Sequence, residues 1–246
     1  MKSKSFQKGP FKAATLWIAF IVWILPVLIS CSDSKEPAEK TPLPADNESF
    51  TFFDVGRTTR FSDQLRDQLE EKLGRDAIER RDVLDLDINY QGFIKKYFPS
   101  LDDLNQQLNF PPRERVDHNT VKLMYRYAQK KNVPFEYVEL VFSNYTKTPI
   151  LFKIHFKKDE GNIIDTLKKK YGNPKMIDWK ENNGQSMYWE KDADYLIASL
   201  VPDQFGQHEY QINIYYVDNL KQLIETERKE KEKKEQQRVK TGENAF

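Results

Sequence analysis

Strict alternation of apolar and other side chains is the feature that most limits the fold of this 246-residue chain. In the segment PILFKIHFK, one set of alternate positions is apolar throughout: Ile150, Phe152, Ile154 and Phe156. A period of two places these side chains on one face of a β-strand. The intervening set includes Lys153 and His155, so the pattern predicts a strand with one buried face and one mostly solvated face.

Several other segments in the second half of the chain have the same character. EYVELVF is predicted to pair with this strand as a hairpin across NYTKTP, and further strands are predicted over about 175–180, 185–190, 194–201 and 209–217. Asn183-Gly184 favours a two-residue primed turn between the first two of these. That turn would place Trp179 opposite Tyr188, with Trp189 on the other face of the sheet.

Three helices are predicted before residue 134. The first starts after a Ser62 cap, runs to about Arg81 and breaks or bends near Gly74, with an apolar stripe of Leu65, Leu69 and Leu73. The second surrounds SLDDLNQQL with Ser100 as its cap. The third follows Asn119, where one helical face would carry Val121, Met124, Tyr127 and Ala128.

Two more helices are predicted later in the chain. Asn162 is expected to cap a helix that ends at Gly172, because glycine accepts the left-handed exit conformation. From Leu220 the tail is rich in glutamate–lysine pairs four residues apart, which stabilise an exposed helix. It lacks the apolar heptad seam of a coiled coil, so a solvated helix is favoured over a partner-binding one.

These elements predict an α+β fold. A helical region over residues 50–133 packs with a mostly antiparallel, aromatic-rich sheet over 134–219 that contains one inserted helix. Residues 220–246 form an exposed, charged helical tail. Before the folded part, residues 1–30 and 31–49 have a different composition.

The first 30 residues have the three-part order of an export signal. Four lysines lie within residues 1–12, residues 13–29 are apolar apart from Thr15, and Ser30 precedes the only cysteine, Cys31. Residues 32–49 contain three prolines among charged side chains and a single leucine, so they bury too little apolar surface to order themselves. We interpret 1–30 as a signal peptide and 31–49 as a disordered tether.

Leu28-Ile29-Ser30-Cys31 resembles the lipobox of bacterial lipoproteins. The resemblance implies that Cys31 is acylated and becomes the new N-terminus. The protein would then be attached to the membrane through a lipid anchor. Ser32 after the cysteine, in place of aspartate, implies the periplasmic face of the outer membrane in a two-membrane envelope. The alternative topology is an uncleaved single-span anchor. Pro26 argues against it, because proline interrupts the apolar helix.

Charge and cysteine content exclude several classes of function. Beyond residue 30 the chain has 35 basic and 38 acidic side chains, a formal charge of −3, so no basic field favours nucleic acid. One cysteine forms no intramolecular disulfide and no cysteine-rich zinc site. No phosphate loop, dinucleotide fingerprint or metalloprotease motif occurs. We therefore predict no cofactor and no metal site.

Catalytic residues are not indicated. His118, His155 and His208 lack ligand spacing and are expected to be structural or exposed, with His155 facing solvent. Asp85 and Asp87 would share one side of an extended segment, which is also how a half-exposed strand alternates. Neither set predicts a catalytic centre by itself.

Aromatic side chains are the remaining candidates for binding. Trp179, Tyr188 and Trp189 would stack sugar rings or an apolar peptide if exposed, and would otherwise fill the core. The sequence thus favours a non-enzymatic envelope lipoprotein with an interaction or structural role, whose partner is an envelope protein or glycan. The alternative is an anchored hydrolase or a carbohydrate- or peptide-binding module.

Overall fold

A computed structural model describes residues 49–126, 133–157, 162–179, 184–202 and 208–245. Within these residues the chain is α+β, with five helices and one eight-stranded sheet. In chain order the elements are α1 (Asp63–Leu73), β1 (Ala77–Asp82), α2 (Phe93–Tyr97), α3 (Pro99–Leu108), β2 (His118–Arg126), β3 (Tyr137–Ser143), β4 (Pro149–Phe156), α4 (Ile163–Tyr171), β5 (Lys175–Asp178), β6 (Gln185–Lys191), β7 (Asp194–Pro202), β8 (His208–Tyr215) and α5 (Val217–Glu243). Cys31 and the predicted signal peptide lie outside the described residues, as does the predicted tether apart from Ser49.

The sheet joins two antiparallel meanders. Its strand order is β1-β2-β3-β4-β8-β7-β6-β5, and every neighbouring pair is antiparallel. The one pairing between strands distant in sequence is β4 with β8, in which Lys153 faces Asn213 and His155 faces Gln211. This pairing brings the two halves of the chain together in the middle of the sheet.

One face of the sheet, the apolar face, is largely buried, although Met176 on the edge strand β5 is exposed. Phe152, Ile154 and Phe156 of β4 lie on it, as the alternation predicts, beside Ile212 and Ile214 of β8. The segment from Phe50 to Val55, α1 and α4 pack over it; their buried residues include Phe50, Val55, Leu69, Leu73 and Ile164. Burial of whole aromatic and branched side chains, at about 1.5–3 kcal/mol each, makes this face a large contributor to stability.

The opposite face, the mixed face, is divided into two halves. One half is apolar: Val141, Leu151, Ile197 and Tyr215 pack against residues 84–108 and the start of α5. Ile150 joins this half and departs from the predicted alternation, because the ladder shifts between Val141 and Phe142. The other half carries polar side chains and contains the candidate site.

The first predicted helix is half right. Ser62 caps α1, its Oγ accepting a hydrogen bond from the Leu65 amide at 3.2 Å, and the helix ends at Gly74, whose φ of 94° requires glycine. The extension to Arg81 is wrong, since residues 77–82 form strand β1. The backbone leaves the helical conformation at Gly74 and then pairs with β2.

The third predicted helix is wrong. Residues 118–126 form strand β2, which lies between β1 and β3. Both faces of this strand are buried, so apolar residues occur on each of them. Val121 and Met124 are three positions apart, which is the spacing of one helical face, but in the strand they point to opposite sides of the sheet. Two strands therefore lie within residues 50–133, and positions 127 and 128 are outside the described part of the chain.

The second predicted helix exists with a different start. It begins at Pro99, directly after α2, and Phe98 rather than Ser100 occupies the cap position. Proline suits the first helical position, because an amide hydrogen at that position would have no acceptor within the helix. Helix α2 has no counterpart in the sequence-based prediction.

In the C-terminal half the predicted elements are confirmed, with one error of register. The β3–β4 hairpin, helix α4 with Gly172 at φ 81°, and strands β5–β8 lie close to their predicted ranges. Trp179 is not opposite Tyr188: its amide donates to the Gly184 carbonyl at 3.1 Å, and Tyr188 faces Lys175. The indole of Trp179 occupies the space above Gly184, where a Cβ atom would collide with it. Asn183 lies outside the described residues.

Helix α5 changes character along its length. Val217, Leu220 and Leu223 are buried against the apolar half of the mixed face, whereas residues 228–245 are exposed. Ion pairs one turn apart, such as Arg228 with Glu225, line the exposed part. Within the described ranges, no helix combines the length and apolar character needed to cross a membrane.

Candidate functional site

Polar side chains cover half of the mixed face on strands at the centre of the sheet. The ladder places Gln211 of β8 between His155 of β4 and Ser199 of β7, and Ser199 beside Ser186 of β6. The next row across the same strands contains Glu139, Lys153 and Asn213. An antiparallel sheet commonly has one face in contact with water, so the polar half alone does not indicate a site. The buried atoms within it, described below, do.

A recess of about 310 Å³ lies where the chain crosses this polar half. Its lining comes from an extended segment and two strands: Asp87, Ile88, Asn89, Tyr90, Lys153, His155, Gln211 and Asn213. The segment is anchored by the buried side chains of Leu84 and Leu86, and the Tyr215 hydroxyl donates to the Leu86 carbonyl at 2.9 Å. The wall from residues 87–90 is thereby held against β4 and β8.

The cationic and imidazole groups of the recess already have partners. Lys153 Nζ donates to the Asp85 carbonyl oxygen at 3.1 Å, and His155 Nδ1 lies 2.8 Å from Glu209 Oε1. Burial lowers the pKa of His155, opposed by the nearby Glu209 carboxylate. The pKa of Asp87 is raised, first by burial and then by the negative charges of Asp85 and Asp102.

Two side-chain amides in the recess each have one buried atom without a partner in the described structure. Asn89 Nδ2 donates to Ser186 Oγ at 3.3 Å, but its Oδ1 is buried and meets no donor in the described part of the protein. Asn213 is 1% exposed, and no described acceptor reaches its Nδ2. A buried polar atom left unpaired costs about 1–3 kcal/mol. Such a cost in a cavity wall is typical of a site that hydrogen-bonds a ligand.

The predicted stacking residues are not brought together. Trp179 is 4% exposed and packs against Phe93 on the mixed face, with ring centroids 5.1 Å apart. Trp189 is 5% exposed on the apolar face, as predicted for its orientation, and its Nε1 donates to the Gly172 carbonyl at 2.8 Å. Tyr188 is half-buried against Phe98. The three rings therefore fill the core on two faces and form no exposed platform.

The predicted aspartates have separate environments. The segment that contains them alternates buried and exposed side chains as predicted, but it is not one of the strands of the described sheet. Asp85 is exposed, and its Oδ1 accepts from the Asp87 amide at 2.9 Å. Only Asp87 lines the recess, and its raised pKa comes partly from its neighbour.

The histidines differ from the prediction. His155 is half-buried in the recess rather than solvent-facing. His118 is 2% exposed at the start of β2, with its Nδ1 2.7 Å from Glu227 Oε2 of α5; Glu227 Oε1 also accepts from the Asn119 amide at 2.8 Å. A cavity of about 690 Å³ beside α5 is lined by His118 and Phe110 among others. The side chain of His208 lies outside the described set.

Asn89, Gln211 and Asn213 were not candidates from sequence. A signal for two of them exists in QINIY, where polar Gln211 and Asn213 alternate with apolar residues in a strand whose other face is buried. That β8 pairs with β4, and so meets Lys153 and His155, is visible only in the fold. Among the described residues, no group of three or more histidine, cysteine or acidic side chains is placed to hold a metal ion.

Comparisons with protein-family models, curated proteins and solved structures gave no match to this chain. The proposals below therefore depend on its own residues.

Proposed function

We propose that this chain is a lipid-anchored protein of the bacterial cell envelope that binds its partner non-enzymatically. Cys31 carries the acyl groups after residues 1–30 are removed, and residues 31–49 tether the folded part at the periplasmic face of the outer membrane. The basic, apolar and small-residue order of residues 1–31 supports this anchor. Several acyl chains, at about 0.8 kcal/mol per buried methylene, hold a protein stably to a bilayer.

The binding role depends on one observation, the recess with its unpartnered amides. Asn89 and Asn213 line the recess, and each has one buried polar atom that meets no partner in the described structure, which is costly unless a ligand pairs with it. Binding in a concave site with a few convergent polar groups suits small polar ligands or one unit of a larger one. The tether keeps this site close to the envelope components that it binds.

Intact mass of the membrane-extracted protein tests the anchor. The expected mass lacks residues 1–30 and includes the added acyl groups on Cys31. Cys31→Ala, as the matched variant, should remain unacylated, and the protein should be either released or stranded with its signal peptide. A full-length mass with an unmodified thiol would contradict the lipid anchor and support the uncleaved single-span alternative.

Hydrogen exchange tests the binding role separately. The membrane-extracted protein is mixed with a digest of envelope glycans and proteins, and amide exchange is followed along the chain. Protection should increase in residues 87–90 and in β8, which line the recess, with no change in the exposed part of α5. Unchanged exchange in both recess segments would contradict the binding role.

A hydrolase is the second candidate, favoured by His118. Its Nδ1 contacts a carboxylate and its Nε2 is buried, with no partner in the described structure, at the wall of the 690 Å³ cavity. A carboxylate-oriented imidazole of this kind can serve as a general base. Hydrolysis of ester or glycoside substrates by the wild type, lost in His118→Gln with unchanged folding, would establish this activity; no turnover would leave the non-enzymatic role.

A further inference from the structure

We propose that the recess binds an uncharged saccharide unit of an envelope glycan. The inference depends on the proposed binding role, whose ligand class it names, and is independent of the lipid anchor. It is built from the charges, the hydrogen-bonding atoms and the size of the recess.

Charge in the recess disfavours an ionic ligand. Asp87 and Lys153 face the cavity together with opposite formal charges. The Glu209 carboxylate beside His155 adds a negative charge at the edge of the recess. An anion near Lys153 would meet the carboxylate of Asp87, and a cation near Asp87 would meet the ammonium of Lys153. His155 is held by Glu209, and its pKa is lowered by burial, so it adds no strong positive charge at neutral pH. A neutral ligand avoids both repulsions.

Hydrogen-bonding capacity favours hydroxyl groups. Asn89 Oδ1 is a buried acceptor and Asn213 Nδ2 a buried donor, and the Gln211 amide and Asp87 carboxyl add further donor and acceptor atoms to the same wall. A hydroxyl group donates and accepts at once, so neighbouring hydroxyls of one sugar ring satisfy both kinds of atom. An apolar ligand would leave the two buried amides unpaired.

Size and shape agree with a single sugar ring. At about 310 Å³ the recess is at the small end of the usual range for ligand sites, roughly 300–1,000 Å³. Tyr90 lines it and packs against Phe93, with ring centroids 5.4 Å apart. A rigid aromatic wall beside polar amides suits a ring that has apolar C–H groups on its face and hydroxyls at its edge.

Saturation-transfer NMR on the full membrane-extracted chain tests the inference, in a detergent without a sugar headgroup. The probes are N-acetylglucosamine and glucose, with inorganic phosphate, glutamate and lysine as charged competitors. Saturation should pass to the saccharides, and the charged compounds should not displace them. Displacement by a charged compound, or no transfer to either saccharide, would overturn the saccharide assignment.

Variants separate a ligand-binding role from a structural one. Asn213→Leu should weaken saccharide binding at least tenfold, while its thermal midpoint stays unchanged or rises. Asn89→Gly removes the amide and accepts the φ of 63° at this position, and it should weaken binding to a similar extent. Asn173→Leu is the matched control, because this exposed asparagine follows α4 on the apolar-face side; it should bind as the wild type does. Unchanged saccharide binding in both recess variants would overturn the assignment.

The result is distinguishable from failure of the proposed function. If the glycan digest protects the recess from exchange but neither saccharide binds, the ligand class is wrong and the binding role stands. If the digest gives no protection, the binding role itself fails. Neither experiment tests the lipid anchor at Cys31, which depends on the intact mass alone.

Discussion

The apolar face of the sheet and the polar half of its mixed face are built from the same strands, yet they have opposite chemistry. Phe152 and Lys153 are neighbours on β4; the first is fully buried among aromatic and branched side chains, and the second lines a polar recess. Alternation along a strand allows one segment to serve both. The apolar face and the apolar half of the mixed face both stabilise the sheet, so that the remaining half can contain buried polar atoms.

Truncation of a buried ring on β4 should cause the largest loss of stability. Phe152→Ala removes a fully buried ring and should lower the free energy of unfolding by about 3–5 kcal/mol. Lys153→Ala, one residue along the chain, should lower it by about 1 kcal/mol or less, since it loses one hydrogen bond to the Asp85 carbonyl. Urea unfolding of both variants measures the two values. Equal losses would mean that the faces do not differ in their contribution to stability.

The hydrogen bonds that attach α5 to β2 should make an intermediate contribution to stability. Glu227→Ala removes the acceptor for both His118 Nδ1 and the Asn119 amide, and should cost about 1–3 kcal/mol because these donors are left without that partner. Glu235→Ala, two turns further along the exposed part of the helix, is the matched control and should change stability very little. Chemical denaturation followed by circular dichroism compares them. A similar small change in both would show that apolar packing alone holds α5.

Acid should weaken the polar half selectively. Burial lowers the pKa of His155 below its ordinary 6.5, so the unfolded chain takes up this proton more readily than the folded one. The contribution of neutral His155 is therefore present above pH 6.5 and is lost as pH falls through the window below it. His155→Gln should show a shallower loss of stability in that window, measured by unfolding at a series of pH values. An identical slope in both proteins would exclude this role for His155.

The elements that could be predicted from sequence are those with one clear period and local ends. The alternation from Phe152 to Phe156 in β4 and the glycine at the end of α4 are local signals, and both are confirmed. In strand β2, Val121, Leu123 and Tyr125 alternate with Thr120 and Lys122, but apolar Met124 interrupts the alternation and gives the spacing of a helix. The β5–β6 register could not be predicted, since it depends on Trp179 packing over Gly184 rather than on the Asn-Gly pair.

The candidate site was beyond sequence reasoning for a different reason. His155 and Gln211 meet only because β4 pairs with β8, more than 50 residues later in the chain. Asn89 reaches the same recess from a segment that has no ladder partner in the described sheet. The aromatic residues predicted to bind a ligand are core residues instead. Their rings fill space in the close-packed clusters on the two faces of the sheet.

The most direct test of this division between the faces is the free energy of unfolding of Asn213→Leu. Asn213 is 1% exposed and its Nδ2 has no described acceptor, so replacing the amide with an apolar group of similar size removes an unpaired polar atom. If the residue is retained for a ligand, the variant should be as stable as the wild type or more stable, by up to about 1 kcal/mol. A loss of more than about 1 kcal/mol would show that Asn213 supports the fold and would contradict the account.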